Sequence, residues 1–585
     1  MVSFFENATH LILTGKPNEL DTLVDDLKFQ PHGFFYSVKY QQFQVTGGKE
    51  GWDGYIRPLM RINTTSCKIL RGRKEDLIRL CGMNKFPVNL DRLLPYPFAD
   101  LQIDDVSADL IAGDFKLDLN QRQCICDWLI AGIGFTKATV GSGKTAMFGG
   151  AAALIKQHYP DARFIYFTPS ERLVKQSTRE MRKFLPHFDI GQCGGGYKEF
   201  GAKDMVVCTT AMLNKHFNKL RADGWFDTFT CILADEVHHC HSKTAKQVIL
   251  SIPAYFRLGA SDTSKEKDVS KFNEIRGLFG PMLNDIKAAP LIVTGRLAKP
   301  HIYIVDNPGW AGRFNSVPFR PDIGSKAYAL LESTWMPATY AGPVYEMDAK
   351  GVPVVKSVKT AEKDGNGEWI SKLVPVTVPG LHRLNIREVE HEIESRWCLL
   401  ERLYDKAVIQ FKSRNALIVE WAKFFSSKGW STVVVATRTT HVYILESLLK
   451  KALPADKVNI LVGDDSPNAR DEMFEWFKTN PGSVLVSPLI KEGVSINQIR
   501  AMIVADCVAD AEVARQIIGR AMRQKSKEDN RAHIVFFWDR QHVTLNQSSR
   551  KLFEQLEQID GFSFWHPCVG PETVFTADSS SKAHE

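Results

Sequence analysis

The octet Ala138-Thr139-Val140-Gly141-Ser142-Gly143-Lys144-Thr145 has the residue types that grip a polyphosphate. Gly141 and Gly143, with Ser142 between them, let backbone N–H groups turn inward around phosphate oxygens. Lys144 is spaced to reach the β- and γ-phosphates of a nucleotide, and the Thr145 hydroxyl to bind Mg²⁺. The general pattern opens on glycine, where this chain has Ala138, but the cradle lies in the later residues. A metal-side carboxylate must come from a neighbouring strand. Asp235-Glu236-Val237-His238 follows the apolar run Cys231-Ile232-Leu233-Ala234. That places Asp235 at the carboxyl end of a buried strand, where ligands gather in open α/β sheets. Asp235 is the expected Mg²⁺ partner, and Glu236 is placed to orient or deprotonate an attacking water. Positive charge for the γ-phosphate is offered by Gln516-Ile517-Ile518-Gly519-Arg520-Ala521-Met522-Arg523. Arg520 and Arg523 are three residues apart, hence expected on one helical face.

These groups need elements to hold them. Between about 115 and 305, short apolar runs (Phe164-Ile165-Tyr166-Phe167, Met205-Val206-Val207-Cys208, Cys231-Ile232-Leu233-Ala234) are separated by amphipathic, helix-length segments. That rhythm predicts a parallel sheet with helices on both faces. A second such rhythm runs from about 385 to 540, with strands at 432–435, 458–462, 484–486, 502–504 and 533–537. Residues 308–384 break the pattern with Pro, Gly, Tyr and Val and predict a β-rich insertion. The first 112 residues alternate short apolar and polar stretches, including Phe34-Phe35-Tyr36-Ser37-Val38, and predict strands, with a helix over 74–80. The expected domains are 1–112, 113–307, 308–384, 385–545 and a C-terminal extension 546–585 ending in a polar, Ser-rich tail.

The chain of 585 residues carries 74 basic and 67 acidic residues, a net charge of +7, which permits a polyanionic partner without demanding one. No apolar run reaches the roughly 20 residues that span a bilayer. The start, Met1-Val2-Ser3-Phe4-Phe5-Glu6, lacks the basic and apolar regions of a signal peptide, so a cytoplasmic protein is expected. The 11 cysteines form no CxxC pair, so a zinc site is not expected and a reducing compartment is.

In this order, the motifs resemble those of superfamily 2 helicases. The octet is similar to the family's AxxGxGKT variant, Asp235–His238 to DExH, and Gln516–Arg523 to QxxGRxxR. Gln121 resembles the glutamine that reads adenine. Thr168 and Pro169 fall in a segment similar to motif Ia, and Thr209 and Thr210 in one similar to motif Ib. Leu258 to Thr263 resembles motif III, with Asp262 where the family more often has Ala. Thr437 and Arg438 fall in a segment similar to motif IV, and Gly493 in one similar to motif V. The resemblance implies two tandem RecA-like domains of α/β class, flanked by a small α+β N-terminal module. It implies ATP and Mg²⁺ as cofactors, with Gln121, Gly141, Ser142, Gly143, Lys144, Thr145 and Gly493 on the nucleotide. Lys144, Asp235, Glu236, His238, Gln516, Arg520 and Arg523 are then the catalytic set. Thr168, Pro169, Thr209, Thr210, Thr437, Arg438 and Ser487 are the expected nucleic-acid contacts.

Among such enzymes the UvsW-type DNA helicases of bacteriophages look most similar. The segments that carry this are Gly51-Trp52-Asp53-Gly54-Tyr55, Gly277-Leu278-Phe279-Gly280-Pro281, Gly295-Arg296-Leu297-Ala298-Lys299-Pro300 and Arg414-Asn415. That likeness implies an enzyme acting on branched or single-stranded DNA, or RNA–DNA hybrids, in replication, recombination or repair; a monomer is the separate expectation. Trp52, Arg57, Arg71 and Arg73 of the N-terminal module are expected to hold a base and phosphates. The alternatives are a duplex translocase that does not part strands, an RNA helicase, and a nucleic-acid-binding scaffold without activity.

Overall fold

The apolar runs do become buried strands. In the first large sheet the order is Met282–Ile286, Ile133–Ala138, Phe256–Ser261, Cys231–Asp235, Phe164–Phe167, Met205–Cys208, Ile190–Gly194 and Tyr197–Lys198. All neighbours are parallel except the last pair. Phe164–Phe167, Met205–Cys208 and Cys231–Ala234 are buried throughout, as a sheet covered on both faces requires.

The computed structural model describes the chain except residues 32–33, 35–36, 92–97, 114, 263–268, 316–341, 346–354, 364–368, 376, 384–402, 464, 466, 489–498, 526–528, 569 and 576–585. It divides into a larger unit (Met1–Lys28, Arg57–Gly312, Val408–Glu585) and a smaller one (Phe29–Ile56, Arg313–Ala407). Both large sheets lie in the larger unit.

The second sheet is parallel throughout. Its order is Val458–Ile460, Val484–Ser487, Thr432–Val435, Ala501–Val504, Arg531–Trp538, Lys299–Asp306 and Ser563–Cys568. Two features differ from the sequence reading. Lys299–Asp306, expected to close the first domain, pairs instead with Arg531–Trp538 in the second sheet. Ser563–Cys568, expected in an extension beyond residue 545, pairs with Lys299–Asp306. The second lobe therefore begins near residue 299 and runs to Phe575. That side chain packs against Phe424 with ring centroids 4.7 Å apart. The lobe's chain is stapled where it interrupts itself: Trp310 and Phe411 stack edge to face at 5.1 Å, and the Gly312 N–H donates to the Arg540 carbonyl at 2.9 Å.

The N-terminal sheet has the order Met60–Asn63, Ser66–Leu70, His10–Thr14, Val2–Glu6, Val88–Asp91, with Pro17–Leu27 and Lys74–Met83 as its helices. It docks on the first lobe at a point with no room for side chains. A β-carbon on Gly72 would lie 2.0 Å from the Arg276 carbonyl, and one on Gly277 would lie 2.7 Å from Leu70. Arg71 and Arg73 seal that junction, against the expectation that they hold phosphates. Arg71 is 1% exposed, ion-pairs with Glu6 at 2.7 Å and lies over the Tyr255 ring. Arg73 pairs with Asp76 at 2.5 Å, and Asp76 pairs in turn with Arg276 at 2.8 Å.

In the smaller unit the run around Phe34–Val38, expected as a strand, leads into the helix Val38–Val45 instead. After the 3-10 turn Pro308–Trp310, the described regular elements of the insertion are strands: Gly342–Tyr345 pairs with Thr377–Arg383, and Val355–Lys363 with Trp369–Pro375. Among the described residues no helix is long and apolar enough to cross a membrane, and the described cysteines are free thiols.

Candidate active site

Three neighbouring strand ends converge. Ile133–Ala138 leads into the phosphate loop, Phe256–Ser261 ends beside Asp262, and Cys231–Asp235 ends at Asp235 and Glu236. Gly141 (φ +82) and Gly143 (φ +87) adopt the left-handed backbone that favours glycine. The helix Lys144–His158 starts directly after them. A β-carbon on Gly143 would lie 2.2 Å from Gln121 Nε2, so the loop closes tightly on its support. Glu236 is one of only two non-glycine residues with positive φ among those described (φ 52), a strained backbone of the kind that gathers at functional sites.

Lys144 Nζ pairs with Glu236 Oε1 at 2.5 Å and lies 3.8 Å from Asp235 Oδ1. Glu236 Oε2 accepts from the Ser261 hydroxyl at 3.0 Å and faces His238 Nδ1 at 3.4 Å, while His238 and Ser261 share a 2.6 Å hydrogen bond. Burial pushes the Asp235 carboxyl up to about 6, against the pull of Lys144. Burial would raise Glu236 too, but Lys144 and the His238 hydrogen bond outweigh it and hold its carboxyl well below the usual range. Lys144 shows the converse: burial opposes its charge, and Glu236, Asp235 and Asp262 together hold it above the usual ammonium value. Asp262 is pushed up to about 6 by burial and by Glu236, and its Oδ1 is buried without a hydrogen-bond partner.

The cleft over this cluster encloses about 970 Å³. The second lobe lines it with Gln516, Arg520 and Arg523. The helix Ala511–Ala521 carries Gln516 and Arg520 but stops before Arg523. Arg523 therefore arrives on the following segment, through an antiparallel bridge to Leu297, rather than on the same helical face. Burial holds the Arg520 guanidinium below its usual value, although Glu236, Asp262 and Asp235 face it.

The other expected sites divide. Gln121 is buried, and its amide is already engaged at both ends. Its Oε1 accepts from the Asp118 N–H at 3.0 Å, and its Nε2 donates to the Ser142 carbonyl at 2.8 Å. It braces the phosphate loop from below and does not line the cleft. Pro169 lines the cleft. Thr168, Thr209 and Ser487 are buried. The Thr168 hydroxyl donates to the Ser170 carbonyl, and the Thr209 hydroxyl caps the helix Thr210–Lys215. The Thr437 N–H donates to the Asp506 carboxylate at 2.9 Å, leaving Thr437 and Thr210 half-buried and Arg438 exposed. In the smaller unit Trp52 is half-buried, its indole N–H donating to the Tyr55 carbonyl at 2.7 Å. Arg57 is exposed. Gly493 and Thr263 lie outside the described residues. Sequence reasoning missed Asp262 as a buried cluster member, Arg296 and Phe115 as cleft residues, and the approach of Gly519 to the phosphate loop.

A β-carbon cannot be added to the loop glycines, and the Ser142 Oγ is buried without a hydrogen-bond partner. Both observations fit a cradle built for phosphate oxygens. Thr145 and Asp235 would hold a divalent cation there, supplying charge against the triphosphate.

Comparison with known proteins agrees in type. Residues 115–266 match the family model described as type III restriction enzyme, res subunit, and residues 414–525 match that of the helicase conserved C-terminal domain. A candidate helicase, number 22, of Sulfolobus islandicus filamentous virus (isolate Iceland/Hveragerdi) is 26% identical over 216 residues, 36% of this chain. The chain spans only 38% of that relative's length. Among solved structures, UvsW of bacteriophage T4 is similar at 15% identity and a TM-score of 0.38, over 96% of this chain and 98% of that one. Dbp5 from S. cerevisiae bound to RNA and ADP BeF3 is similar at 11% identity and a TM-score of 0.44, over 77% and 90%. The two family matches thus fall in order along the chain, the first in the lobe that carries the phosphate loop and the second in the lobe that carries Arg520.

Proposed function

We propose that the chain is a superfamily 2 helicase that couples ATP hydrolysis, with Mg²⁺, to movement along one strand of DNA, and that its preferred substrates are branched: forks, junctions, D-loops or RNA–DNA hybrids. The observation that carries the reading is the single cleft in which Lys144, Asp235 and Glu236 of one lobe face Arg520 and Arg523 of the other. Lys144 and the loop N–H groups bind the triphosphate. Glu236 pairs with Lys144 here, and with that lysine turned to the triphosphate its carboxylate is placed to take the proton of the attacking water. Arg520 and Arg523 meet the charge developing on the γ-phosphate only when the lobes are together, so hydrolysis and lobe movement are linked. Nucleic acid would be held largely through phosphates, giving sequence-independent, salt-sensitive binding. The reading extends to a monomer acting in the cytoplasm of a bacterial or phage-infected cell, in replication, recombination or repair, with strand annealing as a second activity.

The test is ATPase activity of the full chain with forked DNA, single-stranded DNA and RNA, beside Lys144→Ala. Strong stimulation by forked DNA that is lost in the variant supports the proposal. Stimulation without strand separation in a displacement assay would favour a duplex translocase. No stimulation by any polynucleotide would overturn the motor reading in favour of a binding scaffold.

A further inference from the structure

The hydrolysis chemistry gives no task to Asp262, at the edge of the catalytic carboxylates. The register of two parallel strands puts it there. Asp235, at the end of Cys231–Asp235, pairs with Ala260 near the end of Phe256–Ser261. Glu236 on one strand, and Ser261 and Asp262 on the other, therefore leave the sheet side by side. The turn Val237–His239 brings the buried His238 ring back over the same point. Glu236, His238 and Asp262 each bring one ligand atom to within 4.8 Å of the other two. All three residues belong to the first lobe.

The Glu236 carboxylate is divided between two sides. Lys144 holds its Oε1 at 2.5 Å, while its Oε2 turns toward His238 Nδ1 and the Asp262 N–H, each at 3.4 Å. Bonds of about 2.0–2.2 Å to a tetrahedral cation set its ligand atoms roughly 3.4 Å apart. The Glu236–His238 edge already has that length. The edges to Asp262 close to it with a movement of at most about 1.4 Å. Asp262 Oδ1 is buried without a hydrogen-bond partner, so no bond holds it back. The Ser261 hydroxyl bridges His238 Nδ1 (2.6 Å) and Glu236 Oε2 (3.0 Å), which shows that the gap between them admits an atom. An imidazole with two carboxylates suits zinc-like cations, whereas Mg²⁺ prefers oxygen ligands and keeps its waters. The missing CxxC pairs argued against zinc, but this set uses no cysteine.

We infer that Glu236, His238 and Asp262 form a site for a zinc-like divalent cation (Zn²⁺, Co²⁺ or Mn²⁺), separate from the Mg²⁺ that Thr145 and Asp235 would hold, and that filling it stops hydrolysis. The inhibitory half rests on the ATPase reading of the cleft. An ion on Glu236 Oε2, with Lys144 on Oε1, leaves the carboxylate no basic oxygen for water. Asp262 makes the site, because Glu236 and His238 alone supply only two ligands. Lys144 works against it, competing for Glu236 and repelling a second cation at short range. The Mg²⁺–nucleotide site has the opposite dependence, because there Lys144 helps to hold the triphosphate. The two metal positions therefore respond to the loss of Lys144 with opposite sign.

The test is titration of the full chain, free of nucleotide and Mg²⁺, with Co²⁺, whose visible absorption reports its ligands. One equivalent is expected to bind and to persist in a large excess of Mg²⁺. Asp262→Asn and His238→Ala are each expected to weaken binding by about tenfold or more, and Lys144→Ala to tighten it by about tenfold. With Zn²⁺ filling the site, hydrolysis of Mg²⁺–ATP by the parent is expected to fall by about a hundredfold and to return when a zinc-selective chelator removes the ion. Displacement of Co²⁺ by Mg²⁺, weaker binding in Lys144→Ala, or binding indifferent to Asp262→Asn would overturn the site. Hydrolysis at the full rate with the site filled would overturn its inhibitory role. A parent that binds Co²⁺ as expected but hydrolyses no ATP with Mg²⁺ alone would overturn the ATPase reading and support the site, which separates the two failures.

Discussion

A β-carbon added to Gly519 would lie 2.8 Å from the Val140 β-carbon, so the helix carrying Arg520 meets the phosphate loop where no side chain fits. The closed cleft thus depends on a missing side chain as much as on the charged ones. Overpacking of this kind costs about 1–3 kcal/mol. Gly519→Ala is expected to lower kcat by tenfold or more by propping the lobes apart, with ATP affinity and Tm little changed. Steady-state kinetics beside a melting curve check this, and an unaltered kcat would mean the contact plays no part in turnover.

Arg520→Ala is expected to lower kcat by roughly 10³–10⁵ while ATP still binds, because the arginine acts on charge that appears during transfer. Single-turnover hydrolysis set against nucleotide affinity separates the two effects. A variant that loses binding and turnover equally would instead place Arg520 on the ground-state triphosphate.

Arg71→Ala would leave the half-buried Glu6 at the junction with only Lys74 as an ion-pair partner among the described residues. Removing one member of a fully buried pair typically costs about 3–5 kcal/mol, and the partial exposure of Glu6 and its remaining Lys74 partner bring the expected loss below that range. Urea unfolding should report that smaller loss. The salt dependence of DNA binding should stay as in the parent. A shallower salt slope would return Arg71 to phosphate contact.

Burial holds three histidines of the second lobe below the usual imidazole value: His301 at about 4, His441 at about 3 and His533 at about 3. The unfolded chain protonates these rings from about pH 6.5 downward while the folded chain does not. Stability is therefore full above about pH 6.5 and falls as the pH drops toward 4, by roughly 1.4 kcal/mol per pH unit for each ring. His301→Phe keeps the ring that stacks on Trp565 at 4.7 Å and removes one titrating group. Denaturation midpoints between pH 6.5 and 4.5 should decline less steeply in that variant, and an identical decline would refute the assignment.

Much of the site could be read from the chain because its signals are local. An apolar run followed by Asp235-Glu236, or glycines flanking Ser142, mean much the same wherever the strand lies. What stayed hidden depends on partners far away in sequence. Arg71 beside Glu6 and Arg71 beside a phosphate look alike until the fold brings Glu6 against it. The run His301–Val305 suits either parallel sheet, and only its pairing with Arg531–Trp538 decides. The engagement of Gln121 with Asp118 and Ser142, and the fit of Val140 against Gly519, are properties of packing that no spacing announces.

The staple of Trp310 on Phe411 has a consequence in polymer terms. With Trp310 and Phe411 in contact, the stretch of chain between them is closed at its ends into a loop. The entropy of closing a flexible loop grows only with the logarithm of its length, about 0.6 kcal/mol for each doubling. A change in the length of that loop therefore alters the closure entropy of the second lobe by only a fraction of a kcal/mol.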